Sequence, residues 1–203
     1  MKIIAVGMNY TDHAKELNNP VPDEPVIFMK PDSALLKNNK PFYLPDFSDE
    51  IDYETEVIVQ INRLGKNISE KFAPRYYSHM GLGIDFTARD MQRKFREKGY
   101  PWEICKAFDG SAVISEFYPI EKFGNVNNLN FRLDIDGSTV QKGNTADMIF
   151  NINRIIAYVS RFFTLKIGDI IFTGTPVGVG KIFINNHLEG YIEGEKMLDL
   201  MIK

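Results

Sequence analysis

Glu54 and Glu56 stand two apart in Tyr53-Glu54-Thr55-Glu56-Val57, at the head of a run that alternates like a strand as far as Ile61. Positions two apart in an extended chain face the same side, so both carboxylates point one way and Val57 and Val59 the other. Their Cα atoms would lie roughly 6–7 Å apart, near enough for two flexible side chains to converge on one cation. Acids on a solvated strand face are common, and alone the pair is better explained that way. Ile58 continues the same face, however, which argues against a plain water-facing row. A third acid, Asp85, stands in Leu82-Gly83-Ile84-Asp85-Phe86-Thr87. An acid between apolar residues at a strand end needs a partner, and a metal or Arg89 would serve. Capping of the following helix would explain it equally well. Three oxygen donors with no cysteine and no nearby histidine favour a hard ion, Mg²⁺ or Mn²⁺, over zinc.

Other reactive types are scattered. His13 and Glu16 are three apart, share a face if helical, and could pair so that His13 becomes a better general base. An exposed His beside a Glu by chance is the commoner case. His79 and His187 have no comparable neighbour in the sequence and read as structural or surface residues. Lys106, in Ile104-Cys105-Lys106-Ala107-Phe108, either snorkels outward or is held for a purpose. Cys105 lacks a partner that would make it a nucleophile and reads as core. Arg89, Gln92, Arg93 and Arg96 share a helix face, usually a solvated one, although its first turn near Asp85 offers N–H groups to an anion. Thr173-Gly174-Thr175-Pro176-Val177-Gly178-Val179-Gly180 follows a strand and could bring backbone N–H groups close to a carboxylate. It is not a P-loop, because the spacing fails and Ile182 follows Lys181.

These residues need elements to position them. Strands are expected at Lys2–Val6, Pro25–Met29, Tyr53–Ile61, Leu129–Ile135, Asp169–Thr173 and Lys196–Ile202, with Asp136-Gly137 as a hairpin turn. Ile149, Ile152, Ile156, Val159 and Phe163 recur at helical spacing and predict an amphipathic helix over Ala146–Phe163. A second helix is expected over Arg89–Lys98, stopped by Gly99 and Pro101. Shorter ones are expected over Ser69–His79 and Asp12–Leu17. Many short strands and few helices indicate a β-rich α+β domain. No strand leads into a G-x-G-x-x-G helix start, so the dinucleotide-binding fold is not supported.

The totals set outer bounds. At 203 residues with 44% hydrophobic and 25% charged residues, the chain can bury a full core as one domain. A formal net charge of −3 gives no electrostatic case for nucleic acid or for an anionic membrane surface. No apolar run reaches the length of a bilayer span, and MKIIAVGMNY reads as a first strand rather than a signal peptide. The single cysteine excludes an internal disulfide and suits a reducing cytoplasm.

Each motif is weak alone; their order is specific. Gly7-Met8-Asn9-Tyr10-Thr11-Asp12-His13-Ala14-Lys15-Glu16, Phe28-Met29-Lys30-Pro31 and Glu54-Thr55-Glu56 come first. Gly83 through Gln92 (GIDFTARDMQ), Pro101-Trp102 with Lys106, and Gly168-Asp169 through Thr173-Gly174-Thr175-Pro176 to Gly180 follow. Over nearly the whole chain this series resembles the fumarylacetoacetate hydrolase family. The resemblance implies a mixed β-sandwich roll with a few peripheral helices, in one catalytic domain over 1–203 whose first 20 or so residues carry a lid. A homodimer is also implied. Glu54, Glu56 and Asp85 become Mg²⁺ or Mn²⁺ ligands, and His13 and Glu16 a catalytic dyad. Lys106 becomes a catalytic and carboxylate-binding residue, with Arg89, Gln92 and Thr175 as substrate contacts. The segment around Lys106 looks closest to the small acylpyruvase and oxaloacetate decarboxylase branch. The expected reaction is hydrolysis of the C–C bond of a 2,4-diketo acid to pyruvate and a carboxylic acid. Oxaloacetate decarboxylation, keto–enol tautomerisation and 2-hydroxyhepta-2,4-diene-1,7-dioate isomerisation are the alternatives. A non-catalytic metal or small-acid binding module is the alternative from another class. Met8 stands where that branch often has Arg.

Overall fold

The computed structural model describes residues 1–11 and 21–203. In chain order the strands are β1 (Ile3–Gly7), β2 (Val26–Lys30), β3 (Leu35–Leu36), β4 (Ile51–Tyr53), β5 (Thr55–Ile61), β6 (Tyr77–Asp85), β7 (Thr87–Ala88), β8 (Ala112–Ile114), β9 (Tyr118–Pro119), β10 (Asn130–Ile135), β11 (Ser138–Asn144), β12 (Ile170–Phe172), β13 (Gly180–Lys181), β14 (His187–Ile192) and β15 (Glu195–Met201). The helices are α1 (Arg89–Lys98), α2 (Glu103–Lys106) and α3 (Ile152–Phe162). The result is the β-rich α+β class expected. The main sheet is mixed, in the order β2-β1-β12-β5-β6-β8-β3, with β9 also paired to β6. A four-stranded antiparallel sheet, β11-β10-β14-β15, packs against it, and β13-β4-β7 form a small third sheet. Gly190 permits the close approach of the two larger sheets, because a Cβ there would lie 2.6 Å from Leu82 Cδ2.

Alternation in the main sheet sorts side chains onto two buried faces. Ile4, Val6, Val57, Val59, Ile61, Leu82, Ile84, Val113 and Ile171 join the larger core with α3 and the second sheet. Ile3, Ala5, Ile58, Ala112, Ile114, Ile170 and Phe172 form a smaller cluster on the opposite face. By the same parity Lys30, Glu54, Glu56 and Asp85 belong to the smaller face, and so do Gly81 and Gly83 on β6. The larger face is therefore mostly apolar and carries no buried charge on these strands, while the smaller one carries charge at one end of its strands.

Several expected boundaries move for physical reasons. The helix expected over Ala146–Phe163 begins only at Ile152, because Asn151 caps it, its side chain accepting from Arg154 N–H at 2.9 Å. Thr145–Asp147 form a separate 3-10 turn. The helix expected over Ser69–His79 is a 3-10 turn, Glu70–Arg75, containing Pro74, and the chain then enters β6 at Tyr77. The helix over Arg89–Lys98 forms as expected, with Gly99 left-handed at φ 66°. The hairpin turn at Asp136-Gly137 also forms, with both residues at positive φ. The helix expected over Asp12–Leu17 lies outside the described residues. Among the described residues no helix is long and apolar enough to cross a membrane.

Candidate active site

Antiparallel pairing of β5 with β6 sets Thr55 opposite Ile84 and Glu56 opposite Gly83, and Asp85 N–H donates to Glu54 O at 2.8 Å. Glu54 and Asp85 are therefore cross-strand neighbours, and Gly83, opposite Glu56, lets the Phe172 ring pack against β6. Carboxylate oxygens of Glu54, Glu56 and Asp85 lie within 4.8 Å of one another, and all three residues are buried. Three such charges could not share this volume without compensation.

Three buried cations supply most of it. Lys106, delivered by α2, places Nζ 2.7 Å from Glu54 Oε2, 2.9 Å from Asp85 Oδ2 and 2.6 Å from Thr87 Oγ1. Burial lowers its proton affinity, but Asp85 and Glu54 outweigh that and hold it above the ordinary lysine value. Lys30, on β2, lies 2.6 Å from Asp85 Oδ1 and donates to Ser111 O at 3.1 Å, to Ser111 Oγ at 3.0 Å and to Lys106 O. Full burial keeps its proton affinity below the ordinary lysine value despite Asp85. Arg89 opens α1 and spends its guanidinium on protein: Nε donates to Asp52 Oδ2 at 2.7 Å, one terminal nitrogen to Glu54 Oε1 at 2.6 Å and the other to Gln92 Oε1 at 2.6 Å.

Among the described buried residues of the site, four acids, counting Asp52, thus face three cations. Glu56 bears the consequence. Burial first, then Asp85 and Glu54, push its carboxyl well above the usual range, although Gly174 N–H donates to its Oε2 at 2.6 Å. Asp85 Oδ1 is buried and is met by the Lys30 ammonium at 2.6 Å. Three converging buried carboxylates, one of them pushed towards its protonated form by burial and by the other two, make an all-oxygen donor set that fits a hard divalent cation. Asp85 does not cap the helix that follows: α1 is preceded by Ala88 and has no side-chain cap.

These groups open into a cavity of about 60 Å³ that is also lined by Val6, Met8, Phe28, Trp102 and Arg96. The Phe28 and Trp102 rings meet edge to face at 5.8 Å and form an apolar wall. Met8, where the resemblance expects Arg, lines the cavity with φ held at 57°. Gln92 and Thr175 are both in the lining. Because Gln92 Oε1 accepts from Arg89, its NH₂ is the end left for a ligand. Thr175 Oγ1 donates to Thr55 O at 2.9 Å, so its hydroxyl proton is already committed. The loop N–H expected to meet a ligand carboxylate meets the protein's own instead, Gly174 with Glu56.

The expected residues Glu54, Glu56, Asp85, Lys106, Arg89, Gln92 and Thr175 therefore share one cavity; His13 and Glu16 lie outside the described residues. Cys105 is core, its thiol pushed up to about 11 chiefly by burial. His187 has a partner that its sequence neighbours do not show: Nε2 lies 2.7 Å from Asp199 Oδ1 on β15, at the surface. Sequence reasoning missed Asp52, Lys30, Asn9 and Gln141. Asp52 shares the parity of Glu54 and Glu56, which was the available signal. Asn9 is fully buried and clamps two segments, donating to Phe150 O at 2.9 Å and to Thr173 O at 2.7 Å.

The family model for the fumarylacetoacetate (FAA) hydrolase C-terminal matches residues 2–199. This chain belongs to the fumarylacetoacetate hydrolase family. Within it, the chain is 39% identical over 197 residues to an oxaloacetate tautomerase of Escherichia coli, covering 97% of this chain and 90% of that protein. It is 43% identical over 182 residues to a mitochondrial oxaloacetate decarboxylase of Dictyostelium discoideum, covering 89% and 84%. A fumarylacetoacetate hydrolase family protein of Yersinia pestis superposes with a TM-score of 0.96 at 40% identity, over 100% of this chain and 93% of that one. Fumarylpyruvate hydrolase of Pseudomonas aeruginosa, solved with Mn²⁺ and pyruvate, gives 0.94 at 33% identity, over 100% and 89%. The chain is thus an enzyme of this family with the family's β-rich fold.

Proposed function

We propose that this enzyme binds Mg²⁺ or Mn²⁺ through Glu54, Glu56 and Asp85 and acts on oxaloacetate, as a keto–enol tautomerase that can also release CO₂. The convergence of three buried carboxylates on one cavity carries the reading. The tautomerase and decarboxylase relatives favour oxaloacetate over the diketo-acid hydrolysis expected from the sequence, and the Mn²⁺ held by the Pseudomonas protein supports the choice of ion.

When bound, a divalent ion would act as a Lewis acid, drawing electron density from the 2-oxo acid and lowering the cost of charge on its C2 oxygen. Lys106 adds positive charge at the same place and holds Glu54 and Asp85 in register. Arg89 fixes Glu54 from the other side, and the Gln92 NH₂ and Thr175 backbone offer polar contacts to the acid. Phe28 and Trp102 keep one flank dry, which strengthens every charge interaction inside. Tautomerisation takes a proton from C3 and returns one to the C2 oxygen. Decarboxylation breaks the C3–C4 bond, leaves the electron pair on C3 and adds a proton there. His13 with Glu16 is our candidate for moving that proton.

Hydrolysis of an acylpyruvate is the second reading, favoured by the fumarylpyruvate hydrolase likeness. The test follows the ultraviolet absorbance of enol-oxaloacetate, together with pyruvate release, with Mn²⁺ and with EDTA. Metal-dependent acceleration that EDTA removes is expected. Turnover of acetylpyruvate but not of oxaloacetate would install the hydrolase reading instead, and His13→Ala should then abolish cleavage without loss of metal.

A further inference from the structure

Thr55 separates the two glutamates that face the same way, so its peptide groups govern how they stand. Those groups lie past the end of a ladder. β5 and β12 pair from Gln60 with Ile170 to Ile58 with Phe172. Thr173 prolongs the pairing by bonding Val57 O through its N–H at 3.2 Å and its hydroxyl at 2.7 Å. The chain then turns out of the sheet at Gly174, where φ is 99°. Buried backbone groups must be paired, and on this edge Thr55 has no strand beside it.

Side chains take the strand's place. Gln141 Oε1 accepts from Thr55 N–H at 3.0 Å, and Thr175 Oγ1 donates to Thr55 O at 2.9 Å. Gln141 Nε2 closes the circuit, donating to Thr175 Oγ1 at 2.7 Å and to Pro176 O at 2.9 Å. Both ends of the amide are in use, and the residue is 2% exposed. Gln141 belongs to β11, in the other large sheet. The β10–β11 register slips between Leu133 opposite Gln141 and Asp134 opposite Thr139, so Val140 is the extra residue of a bulge. Bulges re-aim the side chains beside them. The loop lies close over this point: a Cβ on Gly178 would come 3.0 Å from Val140 O.

We infer that Gln141 is a positioning residue of the metal site, standing in for an absent strand. It sets the spacing of Glu54 and Glu56 and seats the Thr175-Pro176 loop, so that the sheet can open beside the ligands without unpaired backbone. The inference rests on the reading that the three carboxylates hold a divalent ion.

Gln141→Met keeps the length and removes the polar ends. Two measurements without substrate read the effect: Mn²⁺ affinity by calorimetry, and amide hydrogen exchange of the metal-free protein. We expect Mn²⁺ binding at least 10-fold weaker, with faster exchange confined to residues 53–58 and 173–178. Wild-type Mn²⁺ affinity in a cooperatively folded Gln141→Met protein overturns the inference, as does faster exchange spread evenly over the chain. A wild type that takes up no Mn²⁺ sinks the metal reading, while exchange at 53–58 still reports whether Gln141 holds the strand. Should Gln141→Met fail to fold, Thr175→Val cuts the same link from its other end; undiminished Mn²⁺ affinity there also overturns the inference.

Discussion

Glu56 is the residue on which the charge balance of the site is most visible. Its folded carboxyl keeps a proton at pH values where the unfolded chain, near 4.5, has lost it. That contribution to stability is therefore full below about pH 4.5 and declines as pH rises through the raised value. The metal-free enzyme should lose melting temperature over that range, and Mn²⁺ should restore it. Ion binding should also expel a proton, so calorimetric enthalpies in buffers of different ionisation heat should diverge. Coincident enthalpies would show that Glu56 is already ionised and the balance misread. Lys30 tests the opposite charge. Lys30→Met removes the cation beside Asp85 and the hold on the Lys106 carbonyl, and breaking a buried pair from one side costs about 3 kcal/mol. A melting curve close to wild type would mean Asp85 finds its compensation elsewhere. Spacing and apolar neighbours singled out Glu54, Glu56 and Asp85, but alone they fitted solvated or capping roles at least as well, and only the order of motifs joined the three as one set. Lys30, Asn9 and Gln141 were not singled out, because the partners named here are 34 or more residues away, as Gln141 is from Thr175, and no local pattern encodes a contact made by tertiary folding.

At the scale of elements, most strands that bear alternating apolar residues were readable, whereas β6 and β14 were not. Tyr77–Asp85 contains Gly81 and Gly83, which weaken a strand signal yet are needed: a Cβ on Gly83 would lie 2.6 Å from the Phe172 ring. The helix ending at Phe162 was readable, but its start was not, because the apolar spacing runs on through Ile149 past the Asn151 cap. The loop after β12 is the element on which the site turns. Gly174 combines φ 99° with close neighbours, since a Cβ there would sit 2.6 Å from Asn9 Cβ and 3.2 Å from Val6 O. Gly174→Ala should therefore cost about 2 kcal/mol or more, lower the melting temperature by several degrees, and displace the N–H that holds Glu56. Unchanged stability together with unchanged Mn²⁺ affinity would show that the loop does not depend on this turn.

At the scale of the molecule, two sheets meet so that a residue of one completes the edge of the other, and the charged end of the main sheet opens beside that junction. Tyr43, Ile184 and Met201 are 69%, 62% and 37% exposed around the C-terminal strand, where Phe42 and Leu44 bond Met201 and Lys203 and Asn185 bonds Ile202. An apolar surface of this kind suits the homodimer we propose. Light scattering should give about twice the 23.3 kDa of one chain, and a monomer at micromolar concentration would count against the proposal. The central claim concerns the ion. Mn²⁺ titration followed by electron paramagnetic resonance, on the wild type and on Asp85→Asn, reads it directly. One tight site per wild-type chain, lost or weakened at least 100-fold in the variant, is the expected result. Equal binding by both proteins, or none by the wild type, would contradict it.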